Sequence, residues 1–335
     1  MKKKVWLILD DNSKYAGYSF GVDAEVSGEV VFSTNMTGFQ ELLSDANYRE
    51  QIVVSTFSEV GIAGMNPEDI ESGSSPAALV CREFCPEPSN FRAKSSVEDF
   101  MKERGIVGIY GVDTREITRK LRDSDTLRGI ITSDENASVP SANIVQIAIN
   151  VQDEYEIENP KYNLALINFG IKQPIIDLLN QKGCSLTMDF NNCDGVVLSD
   201  GAANPSDFKI ETIKRFVELK KPILAFGLGH QMLAIELGCE ATKLENGHRG
   251  SNQPVRDLRN GNIYITRQNH GYTVKSVPED VGEVILENVN DKTIEGIKYK
   301  KTPAISIQFE PSKHGGPRST DYLIDEFLNI LGGEN

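Results

Sequence analysis

The chain has 335 residues and a mass of 37.0 kDa, which is too long for one ordinary core and fits two domains of roughly 150 residues each. Its 39% hydrophobic and 25% charged residues are typical of a soluble globular protein and exclude a disordered one. The 35 basic and 49 acidic side chains give a net charge of −14, which argues against a general nucleic-acid surface or an anionic-membrane surface.

The first 150 residues alternate short apolar runs with turn signals, and each run predicts a β-strand. Ser95 or Ser96 can cap a helix over Val97–Arg104, and Asp113 can cap a helix over Thr114–Arg122. We therefore predict a β/α domain over residues 1–151. Its predicted strands are Val5–Leu9, Glu29–Phe32, Ile52–Val54, Ala78–Val80, Ile106–Tyr110 and Arg128–Ile131.

Residues 152–161 are polar and acidic and contain Asn159-Pro160, which predicts a linker. From 162 to 335, short apolar runs are separated by helical segments of about ten residues, a pattern typical of parallel strands with helices on both faces. We predict a doubly wound, mostly parallel α/β domain. Its predicted strands are Leu164–Asn168, Leu186–Met188, Gly195–Ser199, Ile223–Phe226, Ile263–Thr266, Glu283–Leu286, Ile294–Tyr299 and Ala304–Gln308, and its helices are Lys172–Gln181, Ile210–Lys220, His230–Leu237 and Tyr322–Leu331.

The start of the chain has the pattern of a secretory signal peptide, because three lysines precede the apolar run Val5–Leu9. Asp10 and Asp11 end that run too early for a signal peptide, so it is better interpreted as a strand. No apolar stretch approaches the 18 or so residues that span a bilayer. The five cysteines show no close pairing pattern and no zinc spacing, which favours a reducing compartment. We therefore predict a cytoplasmic protein without a metal site.

The segment Lys221–Leu237 is the most informative one, because an apolar strand runs directly into Gly227-Leu228-Gly229 and then into a helix. In open α/β sheets, chemistry gathers beyond the carboxyl ends of the strands. A nucleophile at the apex of such a turn has its pKa lowered by the helix dipole, and adjacent N–H groups hold the oxyanion. The apex residue is Gly227, which has no side chain. On these residues alone, a plain tight turn is the favoured interpretation.

A family resemblance extends this interpretation. Phe226-Gly-Leu-Gly-His-Gln231 resembles the nucleophile elbow of class I glutamine amidotransferases, whose pattern is G-x-C-x-G-H-Q. Nearly the whole chain resembles the small subunit of carbamoyl-phosphate synthetase, whose N-terminal domain is followed by an amidotransferase-like domain. The matching landmarks are Gly28–Leu42, Ser89–Arg92, Asp113–Arg119, Asn168–Lys172, Leu198–Pro205, Gly247–Asn252 and Gln268–Tyr272.

The resemblance implies a reaction, and the sequence departs from it. In that family the small subunit hydrolyses glutamine with a cysteine and with the histidine and glutamate of an H-P-E motif. The cysteine position falls on Gly227, and the H-P-E motif falls on Glu310-Pro311-Ser312. All three catalytic side chains are therefore expected to be missing. Removing one member of a comparable unit costs on the order of a million-fold in rate, so we expect glutamine hydrolysis to be lost.

The resemblance also implies a glutamine pocket. Asn47 stands where the family has a serine, and Ala203 stands where it has the second glycine of a G-P-G loop. These two substitutions leave glutamine binding open. The expected pocket positions are Asn47, Gly201, Ala203, Leu228, Gln231, Asn269, Gly271 and Tyr272.

The chain holds other potential nucleophiles and bases. Cys184, Cys193 and Cys239 are predicted to be buried or loop cysteines. The histidines that fall within the family landmarks are predicted to be structural hydrogen-bonding residues without metal-ligand spacing. They are His230, His248 and His270.

Three hypotheses follow. The leading one is a glutaminase-deficient small subunit that binds no cofactor itself and docks a large subunit, which uses ammonia with bicarbonate and ATP. The second is a module that senses glutamine or a related amide through the pocket residues without hydrolysing it. The third is a hydrolase of altered chemistry that uses Glu310 or His314, or a carboxylate pair of Glu310 and Asp200.

Overall fold

The computed structural model describes residues 3–36, 38–124, 127–140, 154–201, 203–207, 211–311 and 320–333. The chain divides into two compact units, residues 1–145 and residues 146–335. Among the helices in the described ranges, none is long and apolar enough to cross a lipid bilayer.

The first unit is built around a closed β-barrel. Its strands are β1 (Lys4–Leu9), β2 (Lys14–Gly21), β3 (Val26–Ser33), β4 (Ile52–Ser55), β5 (Glu59–Val60), β6 (Ala78–Cys81), β7 (Glu83–Phe84), β8 (Val107–Tyr110) and β9 (Leu127–Thr132). Seven of them close in the order β1-β2-β8-β6-β4-β3-β9. Strands β3, β4, β6 and β8 run parallel to one another in that series, and the remaining pairs are antiparallel. Closure leaves these strands without a free edge.

In the described part of this unit, three α-helices accompany the barrel: α1 (Phe39–Leu43), α2 (Val97–Arg104) and α3 (Thr114–Arg122). The predicted bounds of α2 and α3 are confirmed. The Ser96 hydroxyl accepts a hydrogen bond from the N–H of Asp99 at 3.1 Å, and the Asp113 carboxylate accepts the first N–H groups of α3 at 3.0 Å. Both contacts satisfy main-chain donors that have no partner inside the helix.

A nine-stranded sheet forms the centre of the second unit. Its strands are β10 (Tyr162–Ile167), β11 (Cys184–Thr187), β12 (Gly195–Leu198), β13 (Ile223–Phe226), β14 (Glu240–Asp257), β15 (Ile263–Ser276), β16 (Gly282–Asn288), β17 (Ile294–Tyr299) and β18 (Ala304–Ile307). Their order is β11-β10-β12-β13-β18-β17-β15-β14-β16. The first five are parallel, as predicted, and the last four extend the sheet with antiparallel pairs.

Helices cover both faces of the parallel part. They are α4 (Gln173–Gln181), α5 (Glu211–Glu218), α6 (Gly227–Glu236) and α7 (Tyr322–Leu331). Because successive strand side chains point to opposite faces, Leu164 of β10 packs in one core with residues of α4 and α7. Its neighbour Ala165 packs in the other core with residues of α5 and α6. The predicted doubly wound α/β arrangement is confirmed.

Several predicted elements begin at different residues from those expected, and α6 and β11 are two examples. Helix α6 starts at Gly227 rather than His230, because main-chain N–H groups at its start find acceptors outside the helix. Strand β11 begins at Cys184, two residues before the predicted start at Leu186. Tyr155, inside the predicted linker, exchanges two main-chain hydrogen bonds with Leu186 of β11, so this part of the linker pairs with the sheet.

Candidate functional site

The turn between β13 and α6 has the geometry that the elbow pattern predicts. Gly227 has a φ of +46°, in the left-handed region that favours glycine. Gly229 is required for a different reason: a Cβ there would lie 2.6 Å from the carbonyl oxygen of Leu198. The N–H of Gly229 donates to the carbonyl of Ser199 at 3.1 Å. The start of α6 is therefore packed directly against the end of β12.

The carboxylate of Asp200 lies where a side chain at the apex would begin. Its Oδ1 accepts hydrogen bonds from the N–H of Gly201 at 2.8 Å and from the N–H of Leu228 at 2.9 Å. A Cβ added to Gly227 would lie 1.8 Å from the same oxygen. A side chain at position 227 and this placement of Asp200 therefore exclude each other.

Glu310, at the expected base position, forms a buried ion pair with Lys172. The Lys172 Nζ lies 3.0 Å from Oε2 of Glu310, and each side chain is less than a tenth exposed. Lys172 directly precedes α4, and Glu310 follows β18. An opposite charge at this distance favours the ionised form of a carboxylate. Its expected partner Ser312, and also His314, lie outside the described residues.

The carboxylates of Asp200 and Glu310 line one small polar cleft. None of the eight described lining residues carries a thiol, a hydroxyl or an imidazole, so the cleft contains two cations, two anions, three amides and a phenyl ring. About 20 Å³ of the cleft is open to the centre of a water molecule, which is room for one ordered water. The lining residues are Lys172, Asp200, Arg267, Gln268, Asn269, Gln308, Phe309 and Glu310.

Part of the expected glutamine pocket is assembled, but the side-chain amide of Gln231 already donates hydrogen bonds to other residues of the chain. Gln231 is buried, and its Nε2 donates to the carbonyl of Tyr272 at 2.7 Å and to Oε1 of Gln308 at 3.1 Å. Gly271 and Tyr272 lie on β15, and Asn269 on the same strand lines the cleft.

The other pocket positions lie outside the strands. Gly201 and Leu228 contribute the N–H groups that Asp200 accepts. Ala203 packs beside the core that contains α5 and α6. Asn47 belongs to the first unit, where it is buried in a turn and its N–H donates to the Asp45 carboxylate at 2.9 Å. Its part in a pocket with residues of the second unit stays a prediction.

Comparisons with known proteins identify one family over nearly the whole chain. Residues 7–131 match the family model of the carbamoyl-phosphate synthase small chain, CPSase domain, and residues 165–330 match that of the class-I glutamine amidotransferases. The carbamoyl phosphate synthase small chain of Clostridium perfringens is 40% identical over 347 residues, covering 97% of this chain and 99% of that one. The chain belongs to the carbamoyl phosphate synthase small-chain family. The small chain of Aquifex aeolicus is 37% identical over 374 residues, covering 99% of this chain and all of that one.

Among solved structures, a putative GMP synthase protein from Thermoplasma acidophilum is similar to this small-chain family member. It is 17% identical, with a TM-score of 0.45, and the match covers 51% of this chain and 94% of that one.

The cysteines in the amidotransferase-like unit of this small-chain family member are buried, as predicted. Burial raises the pKa of the Cys184 thiol and of the Cys239 thiol to about 11, and it also raises the pKa of Cys193. Because the thiolate is the nucleophile, these three side chains are unreactive near neutral pH. None of them lines the cleft.

His230 is a structural residue, as predicted. Its Nδ1 lies 2.7 Å from the Ser306 hydroxyl, which in turn lies 3.0 Å from the hydroxyl of Tyr299. Complete burial lowers the pKa of His230 to about 3, so the ring is neutral. It anchors α6 to β18, beneath the turn.

A cluster of two histidines and a glutamate was not expected from residue spacing. His248, His270 and Glu295 are brought together on β14, β15 and β17, with their ligand atoms within 4.8 Å of one another. Oε1 of Gln268 lies 2.9 Å from a nitrogen of each ring. Burial opposes the charge of His248, but Glu295 and Asp291 raise its pKa to about 9. We interpret the cluster as a hydrogen-bonded network around a protonated His248.

Proposed function

We propose that this chain is a carbamoyl phosphate synthase small subunit that has lost glutamine hydrolysis and acts as a structural or regulatory partner of an ammonia-using large subunit. The observation that supports this most is the position of Asp200, whose carboxylate occupies the space in which a nucleophile at position 227 would begin. The match to the small-chain family over nearly the whole chain supports its assignment as a small subunit.

Amide hydrolysis by this fold needs a nucleophile, a base and two N–H groups for the oxyanion. Position 227 has no side chain, the carboxylate of Glu310 is paired with Lys172, and the N–H groups of Gly201 and Leu228 both donate to Asp200. The nucleophile is therefore absent, the residue at the base position is already paired, and the oxyanion donors are already occupied. Since the nucleophile and the base act as one unit, losing either of them lowers the rate on the order of a million-fold.

The proposed partner follows from the family. Its curated members are named small chains, and the first unit matches the family over residues 7–131. We propose that an interface with a large subunit is retained where catalysis is lost, and that ATP and bicarbonate are used by that large chain. The net charge of −14 supports neither a nucleic-acid nor a membrane partner. All five cysteines are free, which supports work in the cytoplasm.

Reconstitution with the cognate large subunit tests the proposal. Carbamoyl phosphate formation is measured with ammonium or with glutamine as the only nitrogen source, with the isolated large subunit as reference. We expect the two chains to copurify, ammonium to support synthesis, and glutamine to support none. An added unrelated glutaminase should restore synthesis from glutamine, which shows that the assay can detect it. Glutamine-dependent turnover that a cysteine-directed glutamine analogue abolishes would contradict the proposal.

The glutamine sensor is the alternative. It has less support, because the Nε2 of Gln231 is engaged by Tyr272 and Gln308. Titration calorimetry with glutamine separates the two functions, since saturable heat would favour a sensor. A hydrolase based on Glu310 has the least support. Steady ammonia release by the isolated chain would strengthen that hypothesis.

A further inference from the structure

We infer that the carboxylate of Asp200 occupies the former oxyanion hole. It keeps a substrate carbonyl out of the hole, and it keeps the side chain of a nucleophile out of the space above Gly227. The inference rests on the proposed function, because it explains how the inherited reaction is closed off. In this view Asp200 is a blocking residue, whose carboxylate oxygen lies where the oxygen of a bound intermediate would lie.

The contacts of Asp200 are those of an oxyanion. The N–H group of Gly201, which follows Asp200 in the chain, and that of Leu228, at the start of α6, converge on one oxygen, Oδ1, at 2.8 Å and 2.9 Å. Two main-chain donors that converge on one oxygen are the usual means of stabilising the oxyanion of an acyl-transfer intermediate. Leu228 lies in the first turn of the ten-residue helix α6, whose dipole adds attraction for a negative charge. The hole is therefore intact and filled.

The backbone of Asp200 is held in place. The hydroxyl of Ser199 donates to the carbonyl of Asp200 at 2.9 Å and accepts from the N–H of Phe169 at 2.7 Å. Asp200 itself is 7% exposed. The carboxylate can leave the space above Gly227 only by a side-chain rotation that gives up both N–H groups, and a buried charge that loses its partners is unfavourable.

Restoring the cysteine alone is therefore not enough to restore a nucleophile. A Cβ at position 227 would lie 1.8 Å from Oδ1 and 2.1 Å from Cγ of Asp200, so the carboxylate must move. The displaced carboxylate stays close to the new sulfur, and a neighbouring negative charge disfavours a thiolate. The two positions, 227 and 200, act as a coupled pair.

Thiol reactivity tests this coupling. The variants are Gly227→Cys, Gly227→Cys with Asp200→Gly, and Gly227→Cys with Asp200→Asn. The alkylation rate of the introduced thiol by iodoacetamide is followed by peptide mass spectrometry, which separates it from the five native cysteines. We expect the Asp200→Gly double variant to react at least roughly tenfold faster than the single variant, since one unit of thiol pKa changes the thiolate fraction about tenfold. The Asp200→Asn double variant keeps the size and removes the charge.

Equal alkylation rates in the single variant and the Asp200→Gly double variant would overturn the inference. If Gly227→Cys does not fold, Asp200→Gly alone serves as the second test. Its melting temperature should fall and should rise again with formate, a small carboxylate, more than with chloride at equal ionic strength. The native chain should show no such preference. Absence of a formate effect in Asp200→Gly would also overturn the inference.

The outcomes for the two proposals can be told apart. A reactive thiol in the single variant would leave the native chain without a nucleophile, so the proposed loss of glutaminase would stand. Glutamine-dependent synthesis with the native chain would overturn the proposed function without changing the alkylation rates.

Discussion

At the residue scale, the cleft depends on two buried carboxylates that each have a specific partner. Asp200 accepts main-chain N–H groups, and Glu310 contacts Lys172. The departures at the expected triad positions stay a prediction from the sequence, because they rest on the identity of single residues. The partners of the carboxylates could not be predicted, because Lys172 and Glu310 are far apart in the chain and meet only when β10 and β18 lie in one sheet.

The ion pair leads to a prediction for stability. Lys172→Met removes the cation and leaves the buried carboxylate of Glu310 without it, which should lower the free energy of unfolding by about 3–5 kcal/mol. Urea unfolding measures the effect. The control is Lys182→Met, because the pair of Lys182 with Asp325 is more exposed, and it should lose less than about 1 kcal/mol. Equal losses in the two variants would show that the Lys172 pair is not buried as described.

The network around His248 leads to a prediction for pH. Burial disfavours its charge, but Glu295 and Asp291 raise the pKa of His248 to about 9, above the ordinary value of about 6.5. The folded chain therefore binds this proton more tightly than the unfolded chain does. Its stabilising contribution is complete below about pH 6.5 and is lost as the pH rises through about 9.

Melting temperatures of the native chain and of His248→Gln, taken from about pH 6 to about pH 9.5, test this prediction. The difference between them should be largest at the acidic end and should shrink with rising pH. Tyr299→Phe is a matched control, since this buried side chain bonds to Ser306 away from the network. A difference for His248→Gln that stays constant over the range would contradict the assigned charge.

At the scale of elements, local signals decided what could be predicted. The bounds of α2, α3 and α7 could be predicted from nearby caps and apolar periodicity. The long strand β14 was missed because its sequence is rich in glycine and charge, and its extended form depends on pairing with β15. Strand β2 was also missed, although its alternating burial leaves a weak period of two. Contacts between distant strands override weak local propensity.

The packing of α6 on β12 leads to a prediction at this scale. In Gly229→Ala, the new methyl group would lie 2.6 Å from the main chain of Leu198, so the helix start must shift. We expect a loss of about 1–3 kcal/mol in the free energy of unfolding. Gly332→Ala is the control, because its nearest neighbours lie at 3.4 Å or more, and it should change stability by less than about 0.5 kcal/mol. Chemical denaturation of both variants measures the difference, and a neutral Gly229→Ala would contradict the close approach.

At the scale of the whole molecule, the two units differ in how much of their fold could be predicted from the sequence. The barrel of the first unit could not be predicted from sequence, because its closure depends on pairing between β1 and β9 from opposite ends of that unit. The parallel sheet of the second unit could be predicted, because each βα step is local. Both units match one family over nearly the full chain, while the residues at its turn and cleft favour loss of the inherited reaction.

The most direct test of the central claim uses isotopic competition in the complex with the cognate large subunit. Glutamine labelled with nitrogen-15 in its amide is supplied together with unlabelled ammonium, and the label in carbamoyl phosphate is measured by mass spectrometry. We predict that carbamoyl phosphate forms without label, because this chain releases no ammonia from glutamine. Label in the product, at a level above that with the isolated large subunit, would contradict the account.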